Sequence, residues 1–176
     1  VPSTNRSTVK QLRRPEPGEE TTLRMLERRP GDLPQMPQGL PLFKPPYSRM
    51  TAIDMNTGEH IWMKPMGNGD RIRNLPLLRD LNLPALGGDS SRAGPVLTKT
   101  LLIYALTAGG TENGPRLVAA DKTSGVEIAS IDLPGGAIGT PMTYMVNDRQ
   151  YIALTVGGSR VPELLALALP RSNINE

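Results

Sequence analysis

One hairpin occurs twice in this chain, and that repetition restricts the fold more than any other feature. Arg49-Met-Thr-Ala-Ile-Asp54 runs through Asn-Thr-Gly58 into Glu59-His-Ile-Trp-Met63. The second copy is Arg116-Leu-Val-Ala-Ala-Asp121, which passes through Thr-Ser-Gly125 into Val126–Asp132. Asp54 aligns with Asp121, Gly58 with Gly125 and Ile61 with Ile128. An Asp at such a joint accepts hydrogen bonds from the backbone of its own turn, and a Gly four residues on supplies the positive φ that closes it. Two copies of one supersecondary unit predict a repeat architecture, with inserts lengthening the period.

The remaining strand signals fall around these hairpins. Runs near 94–98, 101–107, 116–121 and 126–132 form one complete four-stranded antiparallel sheet. The unbroken apolar run Leu101–Leu106 is the pattern of a strand covered on both faces. Runs near 49–54 and 59–64 are the outer half of a preceding sheet. Runs near 140–146, 150–156 and 164–169 are three strands of a following one, the first two joined at Asn147-Asp148-Arg149. Trp62 is expected to pack between neighbouring sheets. Serial four-stranded sheets define an all-β fold, a partial β-propeller of about two and a quarter blades. A stack of that size leaves apolar faces and an open edge, so the chain reads as the end of a longer propeller, weakly stable and inactive alone.

Three regions follow from this grouping. Residues 1–48 are an irregular, Pro-rich segment packing on the propeller, 49–170 are blades, and 171–176 are a polar tail. Recurrent Pro excludes long helices and central strands from the first region, leaving at most a short helix over Glu19–Arg29. Its Arg and Lys residues are interleaved with Glu and lack aromatic partners, and the net charge is only +3, so nucleic acid is not an expected partner. No run is long enough to span a bilayer, and no signal peptide is visible; the first residue is Val, as in a processed or truncated chain. The absence of Cys excludes disulfides, Cys-ligated metal and covalently attached haem.

The usual catalytic patterns are incomplete. Asp54–Glu59 has its Gly one position early for a calcium loop, with Pro65 where the bidentate Glu belongs. His60 is the only histidine and has no ligand-type residues spaced around it. Ser90 and Ser91 lack the turn of a serine nucleophile. Gly109-Gly-Thr-Glu-Asn-Gly114 is followed by Pro-Arg and a strand, not by Lys-Ser/Thr and a helix, so it is a connection. Neither a catalytic residue nor a metal ligand is assigned. The long excursion 66–93 ends in Gly87-Gly88-Asp89-Ser90-Ser91-Arg92, a mobile or ligand-facing loop, and Asn74–Asn82 is expected to make a helical turn or two.

Between about Pro37 and Pro170 the chain resembles the C-terminal end of the pyrroloquinoline quinone (PQQ)-dependent dehydrogenases. The carriers are Gly39-Leu-Pro-Leu-Phe-Lys-Pro-Pro-Tyr47, Thr51–Glu59 with Trp62, and Ala93-Gly-Pro-Val-Leu-Thr98. Gly139-Thr-Pro-Met-Thr-Tyr144 and Arg149-Gln-Tyr-Ile152 with Gly157-Gly158 follow, and this last run is the most specific. The resemblance implies an eight-bladed propeller holding PQQ and Ca²⁺ on its axis. It implies oxidation of an alcohol or sugar by hydride transfer to the quinone in the periplasm, with electrons passing to a separate cytochrome or membrane quinone. The catalytic Asp and the calcium ligands of such enzymes lie upstream of this chain. Transferred to this sequence, the cofactor-facing candidates are Arg92, Ala93 and Gly94, with Gly157, Gly158 and Ser159 as a second group. Arg92 stands where some relatives place a Trp. The alternatives are a non-catalytic propeller scaffold binding proteins in the cell envelope, and a degenerate fragment.

Overall fold

The computed structural model describes residues 2–4, 36–158 and 161–169. The helix expected over Glu19–Arg29, the tail 171–176 and Ser159 lie outside them. Three antiparallel sheets follow one another along the chain. The first has the order β1 (Pro2–Thr4), β2 (Ser48–Ile53), β3 (His60–Pro65). The second runs β4 (Val96–Leu97), β5 (Leu101–Leu106), β6 (Arg116–Asp121), β7 (Glu127–Asp132). In the third, β10 (Arg149–Gly157) is flanked on one side by β11 (Glu163–Leu167) and on the other by β8 (Gly136–Ala137) and β9 (Met142–Val146). The sheets are those of part of a β-propeller, and among the described residues they do not close into a ring.

The two hairpins read as copies are copies in detail. The backbone N–H of Gly58 donates to the Asp54 carbonyl at 2.7 Å, and that of Gly125 to the Asp121 carbonyl at 2.8 Å. The side-chain Oδ1 of Asp54 accepts from the Asn56 N–H at 2.7 Å; that of Asp121 accepts from the N–H groups of Thr123 and Ser124 at 3.0 and 2.8 Å. Each hairpin also shifts register at the same place, between Ala52 and Ile53 in one and Ala119 and Ala120 in the other. The Thr123 and Ser124 hydroxyls and N–H groups hold the exposed Asp121 carboxyl below its ordinary value of 3.8. A depressed carboxyl pKa adds stability above the unfolded-state value and loses it as pH falls through the folded one. Amide protection at Thr123 and Ser124, followed by exchange NMR after correction for intrinsic rates, is therefore expected to be level above about pH 4 and to fall only below it. A decline already between pH 7 and 5 would contradict this.

The sheets stack through β5 and β6, whose two faces serve two cores. Leu102 and Leu106 of β5 and Val118 of β6 join Met50 and Met66 from the first sheet, with Trp62 and Tyr104 beside them. On the opposite faces Ile103, Ala105 and Leu117 join Ala137, Leu154 and Val156 from the third sheet. The apolar run therefore does form a strand buried on both sides. Trp62 lies between sheets as expected: its indole Nε1–H donates to the Lys122 carbonyl at 3.0 Å, and its ring lies against Gly125. Ala129 occupies the register position of Trp62 in the second copy, so only the first hairpin carries this anchor.

Some expectations shift. β1, pairing Pro2 with Met50 and Thr4 with Ser48, has no counterpart in the strands expected from sequence. The expected strand 140–146 starts two residues later, as β9, and the unexpected β8 precedes it: Ala137 pairs with Val156, the Ile138 N–H donates to the Thr155 carbonyl at 3.0 Å, and pairing resumes at Met142 with Ala153. Pro141 has no N–H to give the ladder, and a Cβ on Gly139 would meet Thr155 Oγ1 at 2.3 Å. The excursion forms its helix early, at α1 (Asp70–Arg73), and continues in turns around Leu75–Leu81. Arg73 Nη1 ties that excursion together by donating to the carbonyls of Leu83 and Pro84.

Candidate functional site

The approaches to β4 and β9 touch, and several candidate residues lie along the segments that lead from this contact. Gly94, at the entrance to β4, donates its N–H to Thr140 Oγ1 at 3.1 Å, just before β9. Ala93 packs on the core that contains Ala137 and Val156. Val156 and Gly157, at the exit of β10, pair with Ala137 and Gly136. The loop 91–94 and the turn 157–158 are thus linked through the 136–140 connection, with Thr140 as the hydrogen-bonding bridge. Thr140 was not among the expected site residues; its position directly before a Pro at the start of an inner strand was the available signal.

Within this group the side chains differ in what they offer. Ser91 Oγ accepts from the Ala93 N–H at 2.9 Å and closes the loop as a turn. It makes no hydrogen bond to His60, which sits on β3, and no Ser–His pair is present among the described residues. Arg92 is exposed and makes no hydrogen bond or ion pair among the described residues. Gly157 is buried, and Gly158 is exposed with φ +105° and open space around it. A shallow hollow beside them is lined by Pro134, Gly135, Val156, Gly157, Val161 and Glu163. Among the described residues no group of three His, Cys, Asp or Glu is placed to hold a metal ion, and no helix is long and apolar enough to cross a membrane.

A second polar cluster lies on the face of β6–β7 turned toward the first sheet. Arg116 donates to Glu127 Oε1 at 2.6 Å and to Ser130 Oγ at 3.1 Å. Asp132 accepts from the Thr111 N–H at 3.1 Å and also from its hydroxyl, which holds its carboxyl below the usual carboxylate value. Burial, with the Glu127 charge adding to it, raises the Tyr104 phenol above its usual value. These contacts tie the 109–114 connection to the sheet.

Residues 3–152 match the model of the PQQ "Glucose/ethanol/alcohol dehydrogenase, beta-propeller domain" family. The chain belongs to the PQQ-dependent quinoprotein dehydrogenase family. It is 34% identical over 139 residues to the glycerol dehydrogenase large subunit of Gluconobacter oxydans (strain 621H), covering 75% of this chain and 18% of that protein. It is 33% identical over 126 residues to quinoprotein glucose dehydrogenase A of Acinetobacter calcoaceticus, covering 69% and 14%. Against quinate/shikimate dehydrogenase (quinone) of Acinetobacter baylyi it is 33% identical over 129 residues, covering 69% and 15%. The matched stretch thus spans less than a fifth of these relatives. Their names differ in substrate, so the shared stretch carries the family and not a substrate.

Proposed function

We propose that this chain is a C-terminal part of the propeller of a periplasmic PQQ-dependent dehydrogenase that oxidises an alcohol or sugar. Its electrons pass to a separate cytochrome or membrane quinone. The observation that supports the reading is that the loop carrying Arg92, whose guanidinium makes no hydrogen bond or ion pair among the described residues, and the glycine turn 157–158 are both tied to the 136–140 connection. Guanidinium suits bidentate pairing with the carboxylates that PQQ bears, and a turn without Cβ atoms lets a planar ring system come close to backbone. Acceptance of hydride is the chemistry the quinone supplies when bound. Arg92, Ala93, Gly94, Gly157 and Gly158 would contact it when bound; Ser159 continues the same turn in sequence. Glu163 in the neighbouring hollow disfavours a carboxylate there. Calcium and the base that takes the substrate proton are assigned to other parts of the longer protein.

The open faces fit the same reading. Ile61 and Met63 on the far face of the first sheet, and Tyr144 and Leu164 on that of the third, are exposed here and are covered by further blades in the longer protein. The test is titration of PQQ into the full-length apoprotein with Ca²⁺, followed by a dye-linked assay on alcohols and sugars. Arg92→Gln is expected to weaken PQQ binding by about tenfold or more, the worth of one charge-assisted contact. A variant that binds PQQ as the parent does removes Arg92 from the site. A full-length protein that binds no PQQ supports the scaffold reading instead.

A further inference from the structure

We infer that Asp89 is a positioning residue that fixes the Ser91–Gly94 loop, and with it Arg92, at the entrance to β4. This rests on the cofactor-facing reading of that loop. Asp89 is the one charged residue buried among the described residues, at 7% exposure, and Ser90 beside it is buried as well. A buried carboxylate is costly unless hydrogen-bonded, and this one accepts from the Gly69 N–H at 2.8 Å. Its side chain fills the space that a Cβ on residue 67 would take.

The Asp89 backbone is held as firmly, and from two different sheets. Its N–H donates to the Met66 carbonyl at 3.1 Å, at the exit of β3. Its carbonyl accepts from the Thr107 N–H at 2.7 Å and the Thr107 hydroxyl at 3.1 Å, just past β5. Ser90 then bridges Leu106. Asp89 therefore ties the exit of the first sheet to the end of β5, and the next residues are the loop carrying Arg92. Beyond Ser90 the loop is fastened by the Ser91–Ala93 turn and the Gly94–Thr140 contact. Removing the carboxylate strands the Gly69 N–H and loosens the upstream end of that loop.

The test is trypsin cleavage after the exposed Arg92 in the full-length protein, read by mass spectrometry against cleavage after Arg79 and Lys99. Asp89→Ala is expected to speed cleavage at Arg92 by roughly tenfold, with the other two sites unchanged. Asp89→Asn, whose amide oxygen still accepts from Gly69, is expected to stay within about twofold of the parent. If Asp89→Ala does not fold, Asp89→Ser, whose hydroxyl stops one bond short, replaces it. Unchanged cleavage at Arg92, equal acceleration at all three sites, or an Asn variant as loose as Ala would each overturn the assignment. PQQ titration of the same variants separates this inference from the reading beneath it. If Asp89→Ala loosens the loop but Arg92→Gln binds PQQ normally, Asp89 keeps its role and the cofactor reading fails. If Arg92→Gln weakens PQQ while Asp89→Ala leaves both cleavage and affinity intact, the Asp89 inference fails alone.

Discussion

Trp62→Ala is expected to speed amide exchange in β2, β3 and the 121–126 turn on the order of a hundredfold, measured by hydrogen exchange on the intact protein. The indole joins two sheets in two ways. Its ring covers Gly125 and borders the core of Met50, Leu106 and Val118, and its N–H satisfies the Lys122 carbonyl. Truncating a large aromatic side chain costs about 3–5 kcal/mol, and the lower end applies here because Trp62 is only partly buried. That loss appears as local opening at the junction of the first two sheets, while the core shared with the third sheet keeps its protection. Gly125→Ala supplies the cross-check. A Cβ there would meet the indole at 2.8 Å and must also tolerate φ +67°. In a Trp62→Ala background the clash disappears and only the backbone strain remains, so the two substitutions should be strongly non-additive. Additive effects would mean that Trp62 and Gly125 do not form one contact.

How far the sequence reached is visible in those same residues. The repeated A-x-D-x-x-x-G hairpin was legible because a tight turn demands its Asp and Gly at fixed spacing, and both turns close as that spacing requires. Leu101–Leu106 was legible because six apolar residues between turn signals are too few for a buried helix and fit a strand covered on both faces. β8 was not, since two residues broken from β9 by Gly139 and Pro141 leave no period to read. β1 pairs across a long intervening segment, and nothing local announces such a partner. The tie of the 91–94 loop and of the 157–158 turn to the one 136–140 connection depends on Thr140 and Ala137, which bring distant segments together. The role of Asp89 was hidden for a related reason. In sequence it is one polar residue in a Gly/Ser loop, and only its burial and its bond to Gly69 separate it from Ser91 two positions on.

Gly87→Ala is expected to be far more damaging than Gly58→Ala, although both glycines have left-handed φ, +68° and +75°. The left-handed conformation alone costs an Ala about 1 kcal/mol, and Gly58 incurs only that, because nothing lies within 4 Å of its Cβ position. At Gly87 the Cβ would stand 2.2 Å from the Ser48 carbonyl oxygen and 2.9 Å from the Ser48 nitrogen, backbone atoms that cannot swing aside. Ser48 is itself fixed. Its carbonyl accepts from the Met66 N–H at 3.0 Å, and its hydroxyl accepts from the Gly88 N–H at 2.7 Å. Making room therefore displaces β2 from the excursion that leads to Asp89, adding on the order of 2 kcal/mol more. Amide exchange at Met66 and Gly88 should accelerate on the order of a hundredfold in Gly87→Ala, against about tenfold or less for the hairpin amides in Gly58→Ala. Because the displaced segment leads directly to Asp89, Gly87→Ala should also speed trypsin cleavage after Arg92, which Gly58→Ala should leave alone. Equal behaviour of the two variants at Arg92 would show that the 86–90 segment does not govern the loop.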